Sequence, residues 1–262
     1  MLSLVIPTYN ECSGILNTLD ICRWYLDGRG LEYELIPVSD GSTDGTAESL
    51  RRLSSEIIRP VIYSRNRGKG YAVRQGCLAA RGRWVVYMDS DLAVPLPYLW
   101  AMVDLLEWYD VVIGSRRAER SVIIRPQPAG RRAAGRAFGL AVRLLTGLPY
   151  SDTQCGFKGF RGAAARAIFS RLQADGFAFD VEVLALASRM GYRVYEMGVE
   201  WRDGDRSSVS LARGLRAFAE LWAIARRDRA VGRGQPIVVG EGQEELAAGG
   251  PEKIQASSRS GV

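Results

Sequence analysis

Two acidic clusters close two apolar runs. Val85-Val86-Tyr87-Met88 leads into Asp89-Ser90-Asp91, and Leu35-Ile36-Pro37-Val38 leads into Ser39-Asp40-Gly41-Ser42-Thr43-Asp44-Gly45-Thr46. A short apolar run closed by turn residues reads as a buried strand of a parallel sheet. In open α/β sheets, ligands bind beyond the carboxyl ends of such strands. Two carboxylates one residue apart at that edge suit Mg²⁺ or Mn²⁺, which take oxygen ligands and keep substrate phosphates in their shell. Asp89 and Asp91 are therefore the expected metal ligands. The expected small-molecule partner is a nucleotide-activated substrate carrying a diphosphate.

Composition narrows the chemistry. The 262 residues include no histidine. That excludes imidazole-based metal sites, Ser-His-Asp triads and imidazole acid–base steps. Catalysis must rest on carboxylates, a metal, Lys/Arg or backbone dipoles. Cys12, Cys22, Cys77 and Cys155 form no C-x-x-C pair, so zinc and thioredoxin-type readings fail, and reduced buried thiols are expected. The formal charge of +6 suits phosphate-bearing or membrane-surface partners, or equally a solvated arginine-rich surface. No apolar stretch reaches the length of a membrane span, and the opening Met1 to Pro7 lacks the features of a signal peptide. The expectation is a cytoplasmic protein, peripheral at the cytoplasmic face of a membrane.

The elements that must position these residues alternate. Strands are expected at Leu2–Pro7, Tyr33–Val38, Val61–Tyr63, Trp84–Met88 and Val111–Gly114. Helices are expected at Glu11–Leu26, Thr43–Ser55, Tyr71–Ala80 and Leu96–Trp108. This alternation predicts a doubly wound, mostly parallel sheet with helices on its faces. After residue 115 the pattern breaks. Arg116, Arg117, Arg120, Arg125, Arg131, Arg132 and Arg136 face one acid, Glu119, and Pro126 and Pro128 read as a loop before a helix at Ala129–Thr146. A helix near Val181–Met190 and a strand near Val194–Trp201 follow. Residues 206–230 read as an amphipathic helix with Leu211, Leu215, Phe218, Trp222 and Ala225 on one face, and 231–262 as a disordered tail.

Four segments in series carry a family resemblance: Val5-Ile6-Pro7-Thr8-Tyr9-Asn10-Glu11, Asp40 to Thr46, Asn66-Arg67-Gly68-Lys69-Gly70, and Asp89-Ser90-Asp91. In this order they resemble the family 2 glycosyltransferases, whose GT-A fold is a Rossmann-like, mostly parallel sheet flanked by helices. The resemblance implies a nucleotide-sugar pocket formed by Pro7, Tyr9, Glu11, Asp40, Asn66, Lys69, Asp89 and Ser90. On its own chemistry Asp40 can accept a hydrogen bond from a base N–H, or cap a turn; Asp44 fits the turn role better. Asn66 to Gly70 can offer cations and backbone N–H groups to a diphosphate.

The second half is similar to the dolichyl-phosphate β-glucosyltransferase group in Ser151-Asp152-Thr153-Gln154-Cys155-Gly156-Phe157-Lys158-Gly159-Phe160. Gly176 to Glu182 and Val199 to Gly204 are similar as well. Residues 1–205 thus read as one catalytic domain, with a nucleotide-sugar half at 1–115 and an acceptor half at 116–205. The resemblance implies inverting transfer of a hexose, glucose from UDP-glucose, to dolichyl or polyprenyl phosphate. GDP-mannose is the alternative donor, though Leu92 and Ala93 after the acidic pair depart from the mannose-transferring pattern. Arg117, Arg131 and Arg132 are the candidates for the acceptor phosphate. Asp152 is a third catalytic candidate, orienting the acceptor or sugar hydroxyls or serving as base for a soluble hydroxyl acceptor; a capping or turn role is equally open to it. Asp180 is open between shaping the sugar pocket and capping a helix, and Lys158 between meeting a phosphate and balancing Asp152. A nicotinamide dehydrogenase would need G-x-G-x-x-G where Pro7-Thr8-Tyr9-Asn10 stands. A nucleic-acid-binding role lacks a recognisable motif, so no nucleic-acid partner is expected.

Overall fold

Apolar runs without alternation must be covered on both faces, and the first strand shows this: Leu2 to Ile6 are buried throughout. The computed structural model describes residues 1–125, 128–202 and 211–231. In chain order, β1 (Leu2–Thr8), α1 (Cys12–Asp27), β2 (Tyr33–Asp40), α2 (Thr46–Arg52), β3 (Val61–Tyr63), α3 (Lys69–Ala79), β4 (Trp84–Met88), α4 (Tyr98–Leu105) and β5 (Val111–Ser115) alternate as expected. Then come β6 (Val122–Arg125), α5 (Ala129–Thr146), β7 (Phe157–Arg161), α6 (Gly162–Phe169), α7 (Phe179–Arg189), β8 (Val194–Gly198), β9 (Glu200–Arg202) and α8 (Leu211–Val231).

The main sheet has seven strands in the order β3-β2-β1-β4-β7-β5-β8. All its pairings are parallel except those of β7, which runs antiparallel to both β4 and β5. The mostly parallel α/β architecture is as expected. Successive strand residues feed opposite cores. Val5, Val38, Tyr87 and Ile113 face the helices α3, α5, α6, α7 and α8. Leu4, Leu35, Val86 and Val112 face α1, α2 and α4.

Several expectations needed correction. The stretch before Pro128 is not all loop: Val122–Arg125 pairs in parallel with β9 as a separate two-stranded sheet. The single strand expected at Val194–Trp201 is two strands in different sheets, split at Val199. The helix expected from Thr43 starts at Thr46, because Asp44 accepts the Thr46 N–H in a turn first. Strand β7 and helix α6 had no counterpart in the expectation; a lysine and a glycine within Phe157-Lys158-Gly159-Phe160 mask the strand pattern. In the C-terminal part, residues 203–210, the 231–262 tail beyond Val231, and the Leu211 and Leu215 side chains lie outside the described residues, as does Pro126.

Lys158 is corrected as well. It neither meets a surface phosphate nor balances Asp152. Its side chain is fully buried, with Nζ 2.5 Å from Asp180 Oδ1 and donating to the Cys155 carbonyl at 2.6 Å. Asp180 is likewise no cap: it is the second residue of α7 and turns inward, where the Tyr87 hydroxyl also donates to Oδ1 at 2.5 Å. Tyr87 packs among Phe160, Phe169 and Phe179, with ring centroids 5.9–6.4 Å away. An ammonium inside an aromatic core is tolerable only with its anion present. Replacing Asp180 with Asn or Lys158 with Met alone is expected to cost about 3–5 kcal/mol in urea unfolding. The double replacement Lys158→Met/Asp180→Leu is expected to cost clearly less than the sum of the two single changes.

Candidate active site

The carboxyl ends of β1, β2 and β4 form one edge, and their loops are stitched together. Asn10, in the left-handed region at φ 52°, accepts the Thr43 N–H on Oδ1 at 2.8 Å. The Cys12 N–H donates to Asp44 at 3.1 Å. Asp40 is buried, and its two oxygens accept the N–H groups of Arg67 at 2.7 Å and Gly68 at 2.9 Å. Asn66 donates from Nδ2 to the Asp40 carbonyl at 3.0 Å. Gly41 is required here: at φ +67°, an added Cβ would fall 2.2 Å from the Asn66 nitrogen. Asp40 thus latches the 66–68 loop to β2, and Lys69 opens α3 directly behind it.

Asp89 and Asp91 stand at the end of β4. Lys69 Nζ lies 2.5 Å from Asp89 Oδ1. The Asp89 N–H donates to the Gly156 carbonyl at 3.1 Å, and the Asp89 carboxylate is seated where a side chain at 156 would be; a Cβ there would lie 2.1 Å from Oδ2. Asp91 accepts the Ala93 N–H at 3.1 Å. Burial and the charge of Asp89 raise its carboxyl above the usual range. Leu92, next in sequence, is held at φ 52°, and strained backbone of this kind concentrates at functional sites. Ser90 donates to Glu11 at 2.5 Å, and Glu11 also accepts from Thr8 at 3.2 Å. Of the remaining pocket residues, Pro7 is half-buried and Tyr9 is exposed beside them. Burial alone would lower the Lys69 ammonium, but the charges of Asp89, Asp180 and Asp91 outweigh it and raise it.

The donor set fits a hard divalent ion. Asp89 and Asp91 offer carboxylate oxygens, they repel each other, and a cation, the Lys69 ammonium, already lies against one of them. Among the described residues no third His, Cys, Asp or Glu completes a metal cluster. Such a site leaves coordination positions for substrate oxygens, which is the Mg²⁺ and Mn²⁺ pattern.

A basic wall adjoins this edge. Arg116 makes a bidentate pair with Asp152 at 2.6 and 2.8 Å and lies over the Trp201 ring at 5.4 Å. Asp152 is buried; it also accepts the N–H groups of Arg116 and Gln154, both at 3.1 Å. Burial pushes its carboxyl up, but the hydrogen bonds and charge of Arg116 dominate and hold it at about 2. Glu196 in the middle of β8 receives the N–H groups of Ser151 and Asp152 at 3.0 and 2.9 Å. Arg117 donates to the Ser151 carbonyl at 3.4 Å and crosses α5 at Gly139, where a Cβ would stand 3.0 Å from Nη1. Arg131 shares the helix face of Gly135 and Gly139 by its four-residue spacing. Arg132 belongs to the neighbouring face with Arg136, Leu140 and Leu144, all exposed. The structure therefore brings Asp40, Asn66, Lys69, Glu11, Ser90, Asp89 and Asp91 together. It places Arg117 beside the 151–156 loop and Arg132 facing outward.

Sequence reasoning named these residues but missed the seat that Gly156 makes for Asp89, the pairing of Arg116 with Asp152, and the burial of Lys158 with Asp180 and Tyr87. A lysine between two phenylalanines in a strand buried on both sides was the available signal for the last.

Residues 3–169 match the model of glycosyl transferase family 2, and the chain belongs to that family. The expected resemblance and enzyme class are thereby met. The chain is 35% identical over 225 residues to a dolichyl-phosphate beta-glucosyltransferase of Drosophila melanogaster, covering 80% of this chain and 69% of the relative. It is 34% identical over 233 residues to the Saccharomyces cerevisiae protein of the same name, covering 80% and 70%. Its fold is similar to that of glucosyl-3-phosphoglycerate synthase from Mycobacterium tuberculosis, solved with Mn²⁺, UDP-glucose and phosphoglyceric acid. That match has a TM-score of 0.62 at 20% identity, over 86% of this chain and 80% of the other.

The depressed Asp152 carboxyl sets a pH window. Its folded value of about 2 lies below the unfolded value of about 3.9, so its stabilisation is complete above roughly pH 4 and is lost as pH falls through 2. Urea unfolding of the wild type and Asp152→Asn should differ most at neutral pH and converge towards pH 2. An Asp152→Asn penalty independent of pH would contradict the ion pair.

Proposed function

We propose that this chain transfers glucose from UDP-glucose to the phosphate of a dolichyl or other polyprenyl phosphate, with inversion. The observation that carries the reading is one sheet edge bearing an acidic pair beside a phosphate-ready loop, with guanidinium groups across the 151–156 loop. The identity to dolichyl-phosphate beta-glucosyltransferases over most of the chain supports it.

The donor base and ribose take the small-residue loops after β1 and β2, lined by Pro7, Tyr9, Glu11 and Asp40. Asn66 and Lys69 face the diphosphate. Asp89 and Asp91 would hold Mg²⁺ or Mn²⁺, which when bound supplies charge neutralisation for the departing nucleoside diphosphate. The acceptor phosphate oxygen, already ionised at neutral pH, attacks the anomeric carbon as the bond to the donor's diphosphate oxygen breaks. No general base is needed, which suits a chain without histidine. The task left to the protein is to bring two anions together. Arg117 and Arg131 attract the acceptor phosphate, with Arg132 at the entrance, while Asp152 fixes Arg116 in the wall behind them. A soluble hydroxyl acceptor would require a carboxylate base; Asp152, committed to four hydrogen bonds and held at about 2, is poorly suited to that task.

Among the described residues no helix is long and apolar enough to cross a membrane. On this reading the lipid acceptor is met at the bilayer surface. Helix α8 divides its apolar residues: Leu221, Ile224 and Ala225 are buried in the core, while Phe218 and Trp222 are exposed. Phe218 packs edge-on to Phe138 on the buried face of α5, 5.2 Å between centroids, and α5 carries exposed Leu140 and Leu144 on its opposite, outward face. Arg132, Arg136 and Arg143 flank the two leucines of α5, and Arg216 and Arg226 flank the aromatic pair of α8, the basic and apolar composition of interfacial helices.

Incubation with Mg²⁺, a polyprenyl phosphate and a panel of labelled sugar nucleotides, followed by organic extraction, should give lipid-linked label from UDP-glucose. Asp91→Ala should lower turnover by about 100-fold or more. Label extracted only from GDP-mannose would replace the donor assignment. Liposomes containing anionic lipid should float the protein at low salt and release it at high salt. Leu144→Glu/Trp222→Glu should weaken that flotation, and its absence at low salt would remove the membrane surface from the reading.

A further inference from the structure

Lysine in the first turn of a helix is unfavourable, because the helix dipole places positive partial charge there. Lys69 is the first residue of α3 and needs an anion. In this structure the anion is Asp89, at 2.5 Å. The Asp89 carboxylate has its back against Gly156, with no room for even a methyl group. A cation reaching it must come from the open side, where the Lys69 ammonium lies. The backbone under Lys69 is fixed by Asp40 through the Arg67 and Gly68 N–H groups and by the Tyr71 N–H to the Asp175 carbonyl at 3.2 Å. Only the flexible side chain can move. Asp180 Oδ1 already accepts from Lys158 and Tyr87, and Asp91, two residues on from Asp89, belongs to the same acidic pair, so a shift to it would not clear the metal position.

We propose that Lys69 is an internal counter-cation: its ammonium holds the place of the divalent ion at Asp89 until a donor diphosphate draws it away, so that metal and nucleotide enter the site as a pair. The proposal rests on the reading of Asp89 and Asp91 as metal ligands and of the 66–70 loop as the diphosphate seat. Linkage makes the effect reciprocal. A diphosphate that recruits Lys69 frees Asp89 and tightens the metal. A metal at Asp89 releases Lys69 and tightens the diphosphate. The arrangement disfavours a tightly held metal without substrate and a diphosphate bound without its counter-ion.

The test is Mn²⁺ binding to the full chain, followed by calorimetry and by electron paramagnetic resonance of free Mn²⁺, with and without UDP. Lys69→Met should bind Mn²⁺ about three- to fivefold more tightly than the wild type when UDP is absent, as expected for removal of a partly exposed competing ion pair. Lys69→Gln should do the same, and Lys69→Arg, which keeps the charge, should not. UDP should tighten Mn²⁺ strongly in the wild type and much less in Lys69→Met. Unchanged or weaker Mn²⁺ affinity in both neutral variants, with wild-type thermal unfolding, overturns the proposal. Asp91→Asn separates the two levels. If it loses Mn²⁺ while Lys69→Met gains nothing, only the role of Lys69 falls. If it binds Mn²⁺ as the wild type does, the carboxylate site falls with it.

Discussion

The site hangs on one ion pair that solvent does not reach, Lys158 with Asp180. It is the price of running β7 backwards between two parallel strands. The antiparallel strand brings the 151–156 loop to the carboxyl edge, where the rest of the sheet presents its loops. Lys158 then ties that loop, through the Cys155 carbonyl, to the start of α7. From this anchored loop come the seat for Asp89 at Gly156 and the carboxylate that grips Arg116. The placement of both Asp89 and Arg116 thus derives from a single buried contact whose members are worth little without each other.

Above this anchor the edge is organised by charge. Acids at 89 and 91 stand at the end of β4, and arginines follow β5 and line α5. The latches are made of backbone N–H groups: Asp40 takes two from the 66–68 loop, and Glu196 takes two from Ser151 and Asp152. Carboxylates that look catalytic in the sequence therefore do two kinds of work. Some are left facing the cleft, and others are consumed in fixing loops. Burial and hydrogen bonding sort them: Asp91 is raised by burial and by Asp89, while Asp152 is held low by Arg116.

The first half of the molecule was legible because its signals are local. An apolar run ending in Asp or Gly is a strand and a loop whatever surrounds it, so β1 to β5 and the placement of Asp40, Lys69, Asp89 and Asp91 follow from order alone. The second half was not, because its signals are tertiary. Phe157-Lys158-Gly159-Phe160 becomes a strand only through its pairing with β4 and β5, and Lys158 becomes structural only through Asp180, 22 residues on. Val122–Arg125 is exposed on every residue and is a strand only because β9 returns beside it. The arginine cluster was visible as composition, but its division into a wall residue, Arg116, and an outward one, Arg132, depends on the pairing of Arg116 with Asp152 and on the face of α5 that Arg132 occupies.

The short segment 173–178 is a party wall between two parts of the molecule. On one side Glu220 of α8 accepts the Ala178 N–H at 3.2 Å, Arg227 lies 3.3 Å from Glu182, and Gly176 gives way to the Glu220 carboxylate. On the other, the Asp175 carbonyl receives the Tyr71 N–H, and Gly68 and Gly70 abut Asp175 and Ala174 so closely that neither tolerates a side chain. Whatever leans on the outer helix therefore presses, through six residues of main chain, on the cradle that opens α3.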